Sequence, residues 1–197
     1  MKNNMKKIIL IGAGGHAVSC IDVIKKEKKF KIIGLVDNNK NIGENFLDFK
    51  IIGKDSDLRK LRKIAKYAFV TVGQIGLSEI RKKIFSNLIK LNFIVPNIIS
   101  PISYVSKDAT FKQGSIVHHG AIVNSLAEVG NNCIINSKSL IEHGVKVGSH
   151  THVSTSAVIN GDTQIGEECF IGSNAVIRNN IKIKKRSFIK MGEKILK

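Results

Sequence analysis

Between Val105 and Ile195 every sixth residue is aliphatic or Phe, sixteen positions in succession without a slip. In most repeats the residue four places further on is small, as at Ala109, Ser115, Ala121, Cys133, Ala157 and Ala175. A period of six fits neither a helix, which repeats at 3.6, nor a single strand, which repeats at 2. It fits a chain that turns a corner every six residues and points one β-favouring side chain inward per side, the pattern of a parallel β-helix. Gly130, Gly148 and Gly166 recur at intervals of eighteen, each directly after an inward aliphatic residue. That interval predicts three sides per coil, with glycine at a corner where positive φ costs it little. The 91 residues make about five coils. Their Ile and Val side chains stack coil on coil, so the array is stable only as a whole.

The first half of the chain has a different rhythm. Lys7 to Ile11 is an apolar run that closes into Gly12-Ala13-Gly14-Gly15-His16, and a helix with Val18, Ile21, Val23 and Ile24 follows. A strand, a glycine turn and a helix N-terminus aim backbone N–H groups at an anion. The turn lacks the third glycine of the full dinucleotide fingerprint. A second strand, Lys31 to Val36, ends in Asp37-Asn38, where an acid commonly addresses a ribose or base. Phe49 to Ile52 (strand), Asp55 to Lys66 (helix), Ala68 to Val72 (strand, ending at Gly73), Leu77 to Leu91 (helix) and Phe93 to Val95 (strand) complete the series. The alternation predicts a small parallel α/β sheet with ligands at the strand C-termini. Pro96 and Pro101 bracket a linker, giving two domains at 1–96 and 102–197.

Composition narrows the class. The formal charge of +17 suits a nucleic-acid binder, but aromatics are few and no recognition module is present. The segment from Arg178 to Lys197 carries eight basic residues against Glu193 alone, a rim that would attract a phosphorylated small molecule. Cys20, Cys133 and Cys169 form no C-x-x-C pair, and the last two occupy the small-residue slot of the repeat, as expected of reduced thiols in a cytoplasmic protein. Ile8 to Ile11 is too short to cross or enter a membrane.

Six histidines are present, and two draw interest by position. His143 lies two residues after the inward Ile141, near a corner, and His152 follows nine residues later, half a coil away. Half a coil places them on opposite sides of a three-sided prism. A three-fold assembly would bring one subunit's His143 to a neighbour's His152, so the geometry favours sites between subunits.

Gly12-Ala13-Gly14-Gly15-His16, Ile135-Asn136-Ser137, Ile141-Glu142-His143, His152-Val153-Ser154 and Ile171-Gly172-Ser173 resemble the motifs of one family of bacterial sugar acetyltransferases. Its members N-acetylate UDP-linked 4-amino sugars, as in the UDP-N-acetylbacillosamine type, or O-acetylate sialic acids, and the resemblance spans nearly the whole chain. It implies a Rossmann-like α/β domain followed by an all-β, left-handed hexapeptide β-helix. The handedness comes from the resemblance, since crossovers elsewhere are right-handed. It further implies use of acetyl-CoA without a metal. The offset of His143 and His152 predicts a homotrimer, and the composition, the cysteines and the short apolar run predict a cytoplasmic protein that binds no nucleic acid and inserts in no membrane.

By the same resemblance His143 is the general base of a direct transfer, with Glu142 beside it. His152, Gly172 and Ser173 face acetyl-CoA. Gly14, Gly15, His16, Asp37, Asn38, Gly73 and Asn136 line the acceptor pocket. An imidazole suits the removal of a proton from an amine or hydroxyl attacking a thioester. The family's alternative acceptor is the hydroxyl of a sialic acid or related nonulosonic acid. Two positions depart from the pattern. The acid that usually follows the base is Gly144 here, and Met191 stands where a glycine near the cofactor is expected. On sequence grounds, restoring an acid with Gly144→Asp should raise the rate.

Overall fold

The computed structural model describes residues 5–76 and 79–197. The chain divides into two compact units, one of residues 1–73 with 80–96 and the other of residues 74–79 with 97–197.

The first unit is built on β1 (Lys6–Ile11), which is followed by helix α1 (Gly15–Glu27). It continues through β2 (Phe30–Val36), the short β3 (Asn45–Phe46), β4 (Phe49–Gly53), α2 (Leu58–Leu61), β5 (Tyr67–Val70) and α3 (Glu79–Lys90). The sheet order is β3-β4-β2-β1-β5. All pairings are parallel except β3 with β4, so the sheet is mixed where the sequence predicts it parallel. Ile8, Ile9, Leu10 and Ile11 are all buried, because a central parallel strand is covered on both faces. Ala17, Cys20, Ile21 and Ile24 form the buried side of α1. Arg81 is also buried, and its Nη1 donates to the carbonyls of Val70 and Val72.

Two expectations shift in this unit, and a third falls partly outside the described residues. The helix expected from Asp55 to Lys66 is a 3₁₀ turn plus the single turn of α2. The strand expected at Phe93 to Val95 reduces to one bridge between Ile94 and Tyr67. The start of the helix expected from Leu77 lies outside the described residues.

The second unit is a left-handed parallel β-helix of two-residue strands in three sheets of six, five and six. Strands eighteen residues apart pair in register, as Leu140–Ile141 does with Ile122–Val123 below and Val158–Ile159 above. The inward positions from Val117 to Ile177 are buried and form one continuous column. Ala121, Cys133, Ser139, Thr151, Thr163 and Ala175 fill the corners completely buried. The polar members are satisfied locally, as where Thr151 Oγ1 donates to Gly166 O and Ser115 Oγ to Gly130 O. The stretch read as a linker contains a strand, Ile98–Ile99, paired with Ile116–Val117. Ile99 sits six before Val105, so it continues the period, and the two prolines flank that strand instead of interrupting it.

The glycines of the repeat serve a purpose other than the predicted one. Positive φ occurs at every sixth residue from Gly114 to Gly192, three places after each inward side chain, and Gly130, Gly148 and Gly166 are not among them. Gly, Asn and Asp take several of these left-handed positions, as favoured there, but Leu126, Lys138 and Arg186 are held in them too, at a cost of roughly 1–2 kcal/mol each. Gly130, Gly148 and Gly166 are glycine for closeness: a Cβ on any of them would stand within 2.5 Å of backbone in the next coil. No helix among the described residues is long and apolar enough to cross a membrane.

Candidate active site

Two residues past the inward Ile141, the chain leaves its strand and His143 projects from the corner with its side chain 65% exposed. Glu142 Oε2 lies 3.5 Å from His143 Nδ1. The same oxygen accepts from Asn124 Nδ2 at 3.0 Å, one coil earlier, and from the His143 backbone N–H at 3.3 Å. Asn124 therefore fixes the carboxylate that flanks the imidazole. On the opposite edge, Asp162 Oδ2 stands 3.9 Å from Nε2. The ring lies over Gly161, where a Cβ would come within 2.5 Å of Nε2. Gly161 thus gives the imidazole its seat, one coil after His143. Gly161→Ala should leave the fold intact, because a ring at the surface can swing aside. It should lower kcat by roughly tenfold or more, since displacement of a reacting group by about 1 Å carries costs of that order. Unchanged kcat in a folded variant would show that the ring does not act from this position.

His152 has a contrasting environment. It begins its strand pointing away from the column, yet it is 93% buried, with an exposure of only 7%. Nδ1 lies 2.7 Å from the backbone carbonyl of Gln74, which can only accept, so Nδ1 carries a proton. Nε2 is 3.1 Å from Asn136 Nδ2 and accepts from it in the neutral ring. Asn136 Oδ1 takes the Ser137 N–H at 2.8 Å, and the edge of the imidazole meets the Phe170 ring at 5.2 Å. Asn136 and His152 thus meet directly, and Gln74, which sequence reasoning missed, holds the other edge of the ring. Ser173 Oγ pairs with Ser154 Oγ at 3.0 Å, and Gly172 lets Met191 N approach to 2.5 Å of the place a Cβ would take.

The remaining positions belong to the glycine turn of the first unit. Gly14 caps α1 with no side-chain hydrogen bond, and a Cβ added at Gly14 or Gly15 would meet nothing within 4 Å. Backbone there is open to a ligand. Asp37 secures the turn: Oδ2 accepts from Ala13 N and Oδ1 from Asn39 N, both at 2.8 Å. Asn38 is fixed by Asp55, giving to its carboxylate at 2.9 Å and taking its N–H at 2.9 Å. Gly73 brings the chain against His16, whose Cβ would lie 3.2 Å from an added methyl. Asp37 and Asn38 therefore shape the turn, while Gly14 and Gly15 leave it accessible.

Cys20 and Cys169 are poor nucleophiles. Burial pushes the Cys20 thiol up to about 12, against the opposing influence of the Arg81 charge, and burial likewise raises the Cys169 thiol. A buried thiol held protonated forms no acyl-enzyme.

Residues 7–88 match the family model of the PglD N-terminal domain, and residues 163–195 match that of the hexapeptide repeat of succinyl-transferase. The acetyltransferase domain of PglB from Neisseria gonorrhoeae, solved with acetyl coenzyme A, superposes with a TM-score of 0.87 at 27% identity over 98% of this chain and 93% of that one. A mutant perosamine N-acetyltransferase from Caulobacter crescentus, in complex with CoA and GDP-perosamine, gives 0.91 at 23% identity over 97% and 89%. WeeI from Acinetobacter baumannii gives 0.83 at 20% identity over 98% and 92%.

Proposed function

We propose that the chain is an acetyl-CoA-dependent sugar acetyltransferase of the PglD type and that it transfers acetyl directly to the amino group of a UDP-linked 4-amino sugar, a reading supported by its match to the PglD N-terminal domain and its likeness to the PglB acetyltransferase domain. The observation that carries the mechanism is the exposed His143 imidazole on the β-helix, with the Glu142 carboxylate at its Nδ1 edge. Glu142 holds that edge, and Nε2 takes the proton of the attacking amine as the N–C bond forms at the acetyl carbonyl. The C–S bond then breaks, and the imidazolium returns its proton to the departing thiolate as free coenzyme A. No covalent enzyme intermediate is needed, consistent with the buried, protonated thiols.

The open turn at Gly14 and Gly15 is the proposed seat of the nucleotide diphosphate, with His16, Asp37, Asn38 and Gly73 shaping it. Asn136 lies on the acceptor side. Gly172, Ser173 and His152 stand on the side that receives acetyl-CoA, the ligand of the PglB domain. His152 would reach a thioester through Nε2 only by giving up its bond with Asn136. A cytoplasmic setting supplies acetyl-CoA and keeps the three free cysteines reduced.

Steady-state assays with acetyl-CoA, thiol detection and a panel of UDP-4-amino sugars and sialic acids test the acceptor. Turnover confined to sialic acids would replace the amine reading with O-acetylation. Within the same assay, Gly15→Val should fold normally, because its Cβ meets no protein atom within 4 Å. It should raise the KM for the nucleotide sugar by roughly tenfold while leaving that for acetyl-CoA within about twofold. Loss of acetyl-CoA binding instead would reverse the assignment of the two ligands.

The working form we propose is a homotrimer with its active sites between subunits. One sheet of the β-helix carries Tyr104, Ile122, Leu140, Val158 and Val176 outward in a single ladder that ends at Lys194, and Tyr104 is 59% exposed. The adjacent sheet presents Thr110, Glu128, Lys146, Gln164 and Lys182. An apolar ladder of that length suits a second copy better than water. Sedimentation velocity reads the outcome directly, and an active monomer would exclude it.

A further inference from the structure

We infer that Asp162 supplies, from the following coil, the carboxylate that the family places directly after its base and that this chain lacks at Gly144. The inference rests on the assignment of His143 as the base.

Residues 144 and 162 are one coil apart and occupy equivalent corners, both at positive φ, +65° and +58°. A Cβ built on Gly144 would lie 2.2 Å from Asp162 Oδ1. The carboxylate of Asp162 therefore fills the volume that a side chain at 144 would need. Its other oxygen, Oδ2, faces His143 Nε2 at 3.9 Å, and the Asp162 N–H donates to the His143 carbonyl at 3.0 Å, which ties the two corners in register. A glycine at 144 and an acid at 162 thus form a matched pair: the acid is moved one coil along, and the vacated position makes room for it.

At 3.9 Å the carboxylate is too distant for a direct hydrogen bond to the resting ring. It is close enough to favour the positive charge that develops on the imidazole as Nε2 takes the acceptor's proton. Glu142 flanks the Nδ1 edge, so the imidazolium forms between two carboxylates. Asp162 acts through His143 and is a positioning residue. Because the charge develops only along the reaction, its contribution falls on kcat and not on KM.

This arrangement reverses the sign of the expectation for Gly144→Asp. Placed in the present chain, that side chain would collide with the Asp162 carboxylate and set two like charges together, so activity should fall. Relocating the acid should succeed where adding one fails.

The experiment compares Asp162→Asn, Asp162→Gly, Gly144→Asp and the double change Gly144→Asp with Asp162→Gly, using acetyl-CoA and the best acceptor from the panel. Asp162→Asn keeps both the shape and a residue type that tolerates positive φ, so it removes the charge without stressing the corner. It should lower kcat by roughly 5- to 50-fold with both KM values within about twofold. Each single glycine or aspartate exchange should be similarly slow, and the double variant should return to within about threefold of the parent. Unchanged kcat in Asp162→Asn, a loss confined to the KM of the acceptor, or failure of the double variant to exceed its singles would overturn the inference. His143→Ala is run beside them. If it retained full turnover, the base assignment itself would fail, a result distinct from a silent Asp162→Asn against an inactive His143→Ala.

Discussion

His143→Ala should lower kcat by roughly 10²- to 10⁴-fold, the span lost with a general base. The side chain is 65% exposed and makes no part of the buried column, so the melting temperature should stay within about 2 °C of the parent. KM for both substrates should change little, because the base interacts most strongly with the proton in flight and not with the bound ground state. The measurement is steady-state kinetics in parallel with circular dichroism. A well-folded variant with near-parental turnover would remove His143 from the reaction and with it the mechanism proposed above.

The largest effect on stability is expected from Gly148→Ala. The added methyl would lie 2.5 Å from both Glu167 N and Gly166 C, and neither can move aside as a side-chain tip could. Relief requires parting two coils, which breaks the bond from Gly148 N to Ile165 O and loosens the column around Val147. Overpacking of a rigid interior costs about 1–3 kcal/mol, and with backbone of the next coil as the obstacle the upper end applies. For a chain of this length a loss of about 3 kcal/mol lowers the melting temperature by roughly 6–12 °C. Gly15→Ala is the contrast: its methyl meets nothing, and alanine suits the first helical residue, so stability should hold or rise slightly. Equal melting temperatures for Gly148→Ala and the parent would mean that successive coils do not approach as closely as the glycine ladder indicates.

Much of the protein is legible in one dimension because a β-helix writes its three-dimensional period directly into the chain. Each coil repeats at eighteen residues, so Ile141 reports its neighbours Val123 and Ile159 without any long-range inference. The first unit was readable for a local reason: β1, the glycine turn and α1 are contiguous, and their apolar rhythm changes visibly at Gly12. Its short pieces were not. β3 and α2 have two and four residues, too few for any periodicity to emerge, and they exist through tertiary pairing.

The candidate site divides in the same way. His143 was found from its motif, yet its surroundings come from other coils: Asn124 from one below, Gly161 and Asp162 from one above. An eighteen-residue comparison along the chain would have set Gly144 against Asp162, but nothing in the sequence says that the second carboxylate fills the first position's volume. The burial of His152 depends on Gln74, seventy-eight residues away, and no repeat announces that contact.

The sequence by itself determined the column, its three-sided period and the strand–turn–helix opening. All of these depend on near neighbours or on a strict repeat. The tertiary structure alone decided what the glycines are for, which carboxylates flank His143 and how His152 is engaged. Those depend on distances of 2–4 Å between atoms on separate coils, and side-chain direction at such corners is set by backbone φ and packing, which spacing along a chain does not encode.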